Sequence, residues 1–410
     1  SFVRGISAGL AAPHVITSAA LGGQGQVAAS ERITMGAIGL GGRGKHDLTA
    51  LLANPDVHMM AVCDCQGDRR TQGKEMVNKH YGNQDCDTHI DFRELLARDD
   101  IDAVLIATGD NNHSLVSVHA AKAGKDIYCE KPMSVVVAEG RATADMVQRY
   151  GVIYQCGTQR RSVGRFKYAV ELAQSGKLGE LKEVYAEKAP SEWFGELHER
   201  TLPAQPQPPR DVVDWDQWLG TAPWRPYNKG YMARKFWGGH RDFSGGTITE
   251  WGSHTADLCQ WANRADDTSP VEYELAEGTV IAYYANGVKL IFEKGKWPLH
   301  VKFVGTEGWI YADDDGTVKA EPKSLLAGRQ FGKGYPNEGH VRNFLDCVKS
   351  RRQPIAPPEG AHRANSTCQV ANICMRLGRK VTWDPVNEKF VNDPMADRQL
   401  VRACRGPWQL

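Results

Sequence analysis

Three groups of residues in this 410-residue chain have types and spacings suited to chemistry. Gly39, Gly41 and Gly44, with Gly42 and Arg43 among them, form a G-x-G-x-x-G turn after a short apolar run. Such a turn lets backbone amides approach a diphosphate. Lys131 stands in Glu130-Lys131-Pro132, and His254 stands in the stretch from Gly245 to Asp257. An imidazole has the pKa to take a hydroxyl proton near neutrality. A lysine beside the same oxygen lowers the cost of that proton by its charge and its hydrogen bond. With a bound nicotinamide dinucleotide, these groups could move hydride from a secondary alcohol.

The elements that must position them follow an alternating pattern. A strand over 33–38 feeds the glycine turn and a helix from about Arg43, whose free amides favour negative charge. A second strand, 58–63, ends at Asp64, where a dinucleotide fold places an acid on the ribose 2′-hydroxyl. That carboxylate repels a 2′-phosphate, so NAD is expected; Arg69 and Arg70 just beyond keep NADP open. A helix over 68–80 and a short one over 91–96 lead to the strand 103–107. This ends in a polar turn, Thr108 to His113, at the sheet edge where open α/β sheets bind ligands, so Thr108, Asn111 and His113 join the cofactor side. A helix from about His113 to Lys122 precedes the strand 126–129, which delivers Glu130-Lys131-Pro132 to the same edge. The bond before Pro132 is a candidate cis peptide. A helix over 137–150 and a strand over 152–156 complete a parallel α/β pattern, and Gln159 just beyond is a further cofactor-side candidate. Residues 31–156 are thus expected to form a Rossmann domain.

Beyond Gly157 the periodicity changes. After a helix near 163–173, strand-like alternation at 181–188, 272–283, 288–293, 300–304 and 308–312 predicts a large, mostly antiparallel open sheet in an α+β domain spanning 157–383. Two helical stretches run from His340 to about Gly378, and residues 384–410 read as a C-terminal arm. The segment 191–246, rich in Trp, Pro, Gly and Arg, is too long for filler and reads as a functional loop.

Composition narrows the function. The net charge is +1, with no basic stripe for nucleic acid, and no apolar run approaches the roughly 20 residues of a membrane span. Ten cysteines include no C-x-x-C pair. Cys63, Cys129 and Cys156 fall in expected buried strands, while pairing among the others is open. His254-x-x-Asp257 is half of a metal site with no second cluster, so no metal is expected. Residues 1–30 are small and apolar, with Ser1-Phe2-Val3-Arg4 at the start. They resemble a bacterial export signal of the twin-arginine type without its arginine pair, which predicts a periplasmic or exported protein. If that signal is not functional the protein is cytoplasmic, and the alternative for the segment is an N-terminal arm.

The glycine turn, the Glu130-Lys131-Pro132 turn and the segment Gly245–Asp257 together resemble the Gfo/Idh/MocA family of NAD(P)-dependent oxidoreductases. The resemblance implies a Rossmann domain plus an open-sheet α/β domain, self-association into dimers or tetramers, and action on sugars or cyclitols. It implies Lys131 as catalytic lysine, Glu130 as nicotinamide-ribose contact and His254 as the proton-transferring histidine. Glu250 stands where the family usually has Asp, one turn before His254, from which it could orient the imidazole. Aromatic faces stack on sugar rings, so the loop holding Trp215, Trp218, Trp224, Tyr227 and Trp237 is expected to build the substrate pocket, with Tyr227, Trp237, Arg241 and Asp257 as substrate contacts. Two reactions fit. One is reversible hydride transfer between a nicotinamide and a secondary hydroxyl of a sugar or cyclitol. The other is an NAD-dependent glycoside hydrolase that oxidises C3 transiently, eliminates the aglycone and consumes no net NAD; its second base would be Tyr227, Tyr231 or His240.

Overall fold

Apolar runs that lie between two layers of helix need no alternation, and the first sheet is built from such runs. In the computed structural model, residues 27–188, 197–276, 278–295, 298–326, 328–334 and 336–410 are described. Strands β1 (Ile33–Ile38), β2 (Val57–Cys63), β3 (Asp87–His89), β4 (Ala103–Ile106), β5 (Asp126–Cys129) and β6 (Tyr154–Cys156) form a parallel sheet in the order β3-β2-β1-β4-β5-β6. Every residue of β4, β5 and β6 is buried. Helices Gly42–Leu52, Gly67–Tyr81, Asp110–Lys122 and Val137–Tyr150 connect the strands. One apolar cluster centres on Leu48, Val62 and Leu105, another on Ile106, Leu115 and Val147.

The second sheet has nine strands. β7 (Leu181–Glu187), β8 (Glu272–Ala276), β9 (Thr279–Tyr283), β10 (Lys289–Glu293), β11 (His300–Gly305), β12 (Trp309–Asp313), β13 (Val318–Glu321), β14 (Val381–Asp384) and β15 (Lys389–Phe390) lie in the order β13-β12-β11-β7-β10-β9-β8-β14-β15. Only β7 and β10 pair in parallel. Alternate residues are buried, as in β9 and β11. Their buried face shares an apolar core with helices Gly164–Gln174, Gly252–Ala262 and Pro358–Leu377.

Three departures from the sequence reading have physical causes. The Thr108–His113 stretch is not a turn beyond Gly109: Asp110 already begins the helix, with Gly109 as its N-cap. The run 272–283 is a hairpin of β8 and β9, turning through Gly278 at φ 76°. Short strands β3, β13, β14 and β15 were not expected; β14 and β15 form because Trp383 and Phe390, 2% exposed each, enter the second core. The C-terminal arm, which the sequence left free to wrap a neighbour or its own domain, here packs on its own chain, with Trp408 buried beside Phe92 of the first domain. Cys63, Cys129 and Cys156 are core residues, and all ten cysteines are free thiols. The export-signal stretch falls almost wholly outside the described residues.

Candidate active site

The glycine turn is shaped as its spacing demands. Gly39 has φ 89°, and a Cβ on Gly44 would stand 2.0 Å from the Gly39 carbonyl oxygen, so helix and strand meet there without side chains between them. A Cβ on Gly42 would meet nothing within 4 Å. The helix Gly42–Leu52 has no side chain capping its N-terminus, which leaves its first amides for an anion. Asp64 is buried at the end of β2, its carboxylate accepting from the amides of Leu40 (2.7 Å) and Gln66 (2.9 Å). These features fit a dinucleotide. Arg69 lines the crevice beside Asp64, whereas Arg70 donates to the carbonyls of Asp64 and Asp211 and is committed to the backbone.

A cavity of about 590 Å³ continues from the glycine turn to the second domain. Gly41, Gly42, Arg43, Thr108, Asn111 and His113 line it, as do Glu130, Lys131, Gln159, Trp237, Glu250 and His254. The amine and the imidazole therefore share one cleft with the nucleotide turn. Glu130 is held by Arg43 Nε (3.0 Å) and Gln159 Nε2 (2.6 Å). Burial, with the Glu130 charge, pushes Asp47 beneath it up to about 7. Against burial, Arg43 and Lys131 keep Glu130 below its ordinary value.

Lys131 precedes a cis proline. Its Nζ donates to both the backbone carbonyl (2.7 Å) and the carboxylate (2.8 Å) of Glu250. The same Glu250 oxygen receives Arg234 at 2.9 Å. Burial would raise Glu250, but Lys131 and Arg234 hold it down to about 2, so it is an anion between two cations. Asp110 lies beside it, and burial together with the Glu250 charge drives Asp110 well above the usual carboxylate range.

Glu250 does not hold His254. Helix Gly246–Glu250 ends before Trp251, and a separate helix, Gly252–Ala262, carries the histidine, so the one-turn relation of a continuous helix is lost. His254 is 4% exposed, and its Nδ1 has no hydrogen-bond partner among the described residues. Burial first, then Arg160, Lys131 and Arg43, push its pKa well below 6.5, so the ring is neutral. His113 is also buried and neutral, its Nδ1 bonded to the Pro132 carbonyl at 2.7 Å. Asn111 spends its amide on the Leu219 carbonyl (2.9 Å).

Several expected substrate contacts lie elsewhere. Asp257 is paired through both oxygens with Arg161 at 2.7 and 2.8 Å, beneath the site. Arg241 pairs with Glu199 and lines a different depression. Tyr227, Tyr231 and His240 belong to an aromatic cluster with Trp215 and Phe243 rather than to the cavity. Nε2 of His240 contacts Arg225 (3.0 Å) and the Arg200 carbonyl (3.1 Å). Apolar alternation is absent in this loop, so its sequence did not tell packing aromatics from lining ones. Trp218, one of the loop aromatics expected at the pocket, lines the cavity, and so do three residues the sequence reading passed over, Asp110, Arg234 and Trp251. Arg234 stacks over Trp237 at 4.3 Å, and the closeness of the two in sequence was the available signal.

A glycine cradle, a carboxylate at the end of β2 and an amine-imidazole cavity between two sheets define a dinucleotide-dependent oxidoreductase. Residues 33–158 match the NAD-binding Rossmann fold of the GFO_IDH_MocA oxidoreductase family, and residues 167–410 match its C-terminal alpha/beta domain. The chain belongs to this family and has its NAD-binding domain. It is 32% identical over 145 residues to myo-inositol 2-dehydrogenase of Thermotoga maritima, covering 35% of this chain and 42% of that protein. A glycosyl hydrolase family 109 protein of Saccharopolyspora erythraea is 33% identical over 27% of this chain and 25% of its own length. The matches thus span less than half of these relatives. The crystal structure of GenD2 from gentamicin A biosynthesis, in complex with NAD, superposes with a TM-score of 0.63 at 20% identity, covering 88% of this chain and 98% of that one.

Proposed function

We propose that the protein transfers hydride between NAD and a secondary hydroxyl of a sugar or cyclitol. The observation that carries this reading is the convergence of Lys131 and a buried, neutral His254 on the cavity that begins at the glycine turn. The amides of Gly41 and Gly42 would hold the diphosphate, Asp64 a ribose, and Glu130 with Gln159 the nicotinamide end. A nicotinamide held there would supply the acceptor for the hydride of the carbinol carbon. The His254 imidazole takes the hydroxyl proton, which its neutral state allows. Lys131, pinned by Glu250, directs a positive charge at the oxygen as it becomes more basic. Trp237, Trp218 and Met232 provide apolar surface for a ring face and exclude water.

The redox-assisted hydrolase would need a second base, and the three residues first considered for it pack away from the cavity. Simple hydride transfer is therefore the reading that the geometry supports best. Export and self-association belong to the same proposal: the composition of residues 1–30 supports the first, and the half-exposed face of the nine-stranded sheet the second. The test is incubation of the purified protein with NAD and a panel of cyclitols, sugars and aryl glycosides. NADH formed in step with a keto product supports the proposal. Release of aglycone without NADH, or no turnover of any panel member by protein that binds NAD, refutes it.

A further inference from the structure

A strap from the second domain crosses the mouth of the nucleotide crevice. Its two anchorages lie just beyond the carboxyl ends of β2 and β4, the strands that flank β1 in the sheet. On the β2 side, Gly67 N donates to Val212 O (2.9 Å), Asp214 N donates to Cys65 O (2.8 Å), and Gln66 and Val213 form an antiparallel bridge. A Cβ on Gly67 would stand 2.5 Å from the Asp211 carbonyl oxygen, so this approach admits only glycine. On the β4 side, the Asn111 amide donates to Leu219 O (2.9 Å), the Asn112 amide to Gln217 O (3.2 Å), and the Thr221 hydroxyl to Asn111 O (2.8 Å). Between these anchorages runs the short helix Trp215–Leu219. Its Gln217 and Trp218 form the outer wall of the crevice that holds Gly39, Asp64 and Arg69, and Trp218 also faces the larger cavity.

The C-terminal arm clamps this strap from outside. Arg405 pairs with the Asp216 carboxylate and donates to the carbonyls of Asp216 (3.0 Å) and Gly220 (3.1 Å). Trp408 Nε1 donates to the second Asp216 oxygen at 2.9 Å, and the Trp408 ring is covered by the Arg93 guanidinium, 4.7 Å from its centroid. Asp216 is thus tied to two residues of the arm.

We infer that residues 211–222 are a cofactor-retaining element, with Trp218 a nucleotide contact and Asp216, Arg405 and Trp408 positioning residues, so that the bound dinucleotide leaves slowly. The backbone bonds on the β2 side or the side-chain bonds of Asn111, Asn112 and Thr221 must open before an adenosine can leave beneath the strap. Release is then governed by the clamp, far from Lys131 and His254. The inference rests on NAD binding alone and stands or falls independently of which alcohol is oxidised.

The test is the dissociation rate of NADH from full-length protein, followed by loss of bound-nucleotide fluorescence on dilution into excess NAD. The intact protein should release it over minutes or longer, and R405A should release it at least about tenfold faster at unchanged far-UV circular dichroism. W408F keeps the packing against Phe92 and loses only the Asp216 bond, so it serves if R405A fails to fold; a several-fold acceleration is expected. Release from the intact protein within a second, or variants that fold and release at the intact rate, would overturn the inference.

Discussion

The cavity and the aromatic cluster of residues 213–243 are made of similar material, and they differ in how their histidines are placed. In the cluster, His240 touches Arg225 and a backbone carbonyl, and its pKa is lowered to about 4 by burial and then by Arg225. In the cavity, His254 keeps a buried nitrogen with no partner among the described residues, and Lys131 is held by one carboxylate at the edge of open space. His254 stands at the wall of open space while His240 is enclosed by its partners, so the first is open to a ligand and the second belongs to packing.

The widest separation between the two regions should come from matched histidine variants. His254→Asn is expected to lower kcat by ~10²–10⁴-fold with NAD affinity and melting temperature little changed, because it removes a proton acceptor. His240→Asn should leave kcat within about threefold and cost stability of about 1–3 kcal/mol, read by urea unfolding. Equal effects on kcat would erase the distinction. Next in size is Asp257→Asn. Breaking its pair with Arg161 leaves a buried guanidinium with less compensation and should cost about 3–5 kcal/mol, with KM unchanged in the protein that still folds. A raised KM without loss of stability would return Asp257 to the substrate.

The pH dependence of stability follows from the buried imidazoles. His240 and His340 have folded pKa values lowered to about 4, in His340 by burial foremost, so between pH 6.5 and 4 the unfolded chain binds protons that the folded one does not. Stability should therefore fall as pH drops through 6.5, by up to about 3 kcal/mol for each of the two at pH 4. His300 acts in the opposite sense. Burial opposes its charge, but Glu187 and Glu293 raise it to about 9, so its contribution is present below pH 6.5 and fades up to pH 9. A melting temperature that does not change from pH 7 to 4.5 would contradict the assignment of neutral, packed histidines. The smallest effect is expected for Tyr227→Phe, with kcat and KM within about twofold, since the ring packs edge-on against Trp215 outside the cavity. A larger KM shift would move the aromatic loop back into the substrate pocket.

Most of the first domain was legible because its signals are local. Strand 33–38, the turn at Gly39 and the acid at Asp64 are fixed by apolar run length, by a backbone angle only glycine adopts readily, and by a spacing along the chain. The identities of Lys131 and His254 were legible for the same reason, as each sits in a distinctive short motif. Partners were not legible. Glu250 is four positions before His254 in sequence, yet its carboxylate pairs with Lys131 and Arg234, and the helix is interrupted between the two at Trp251. Tyr227 and Trp237 lie ten residues apart in one loop, but one packs inward and the other lines the cavity, with no periodicity to tell them apart. The sequence by itself determined the nucleotide turn, the alternation of the two sheets and the amine and imidazole to be used. Only the tertiary structure decided which charges neutralise one another, and that a tail at residues 402–408 reaches back to the strap over the crevice, because those pairings join distant segments, as much as 192 positions apart in the bonds from tail to strap, and depend on burial rather than on local pattern.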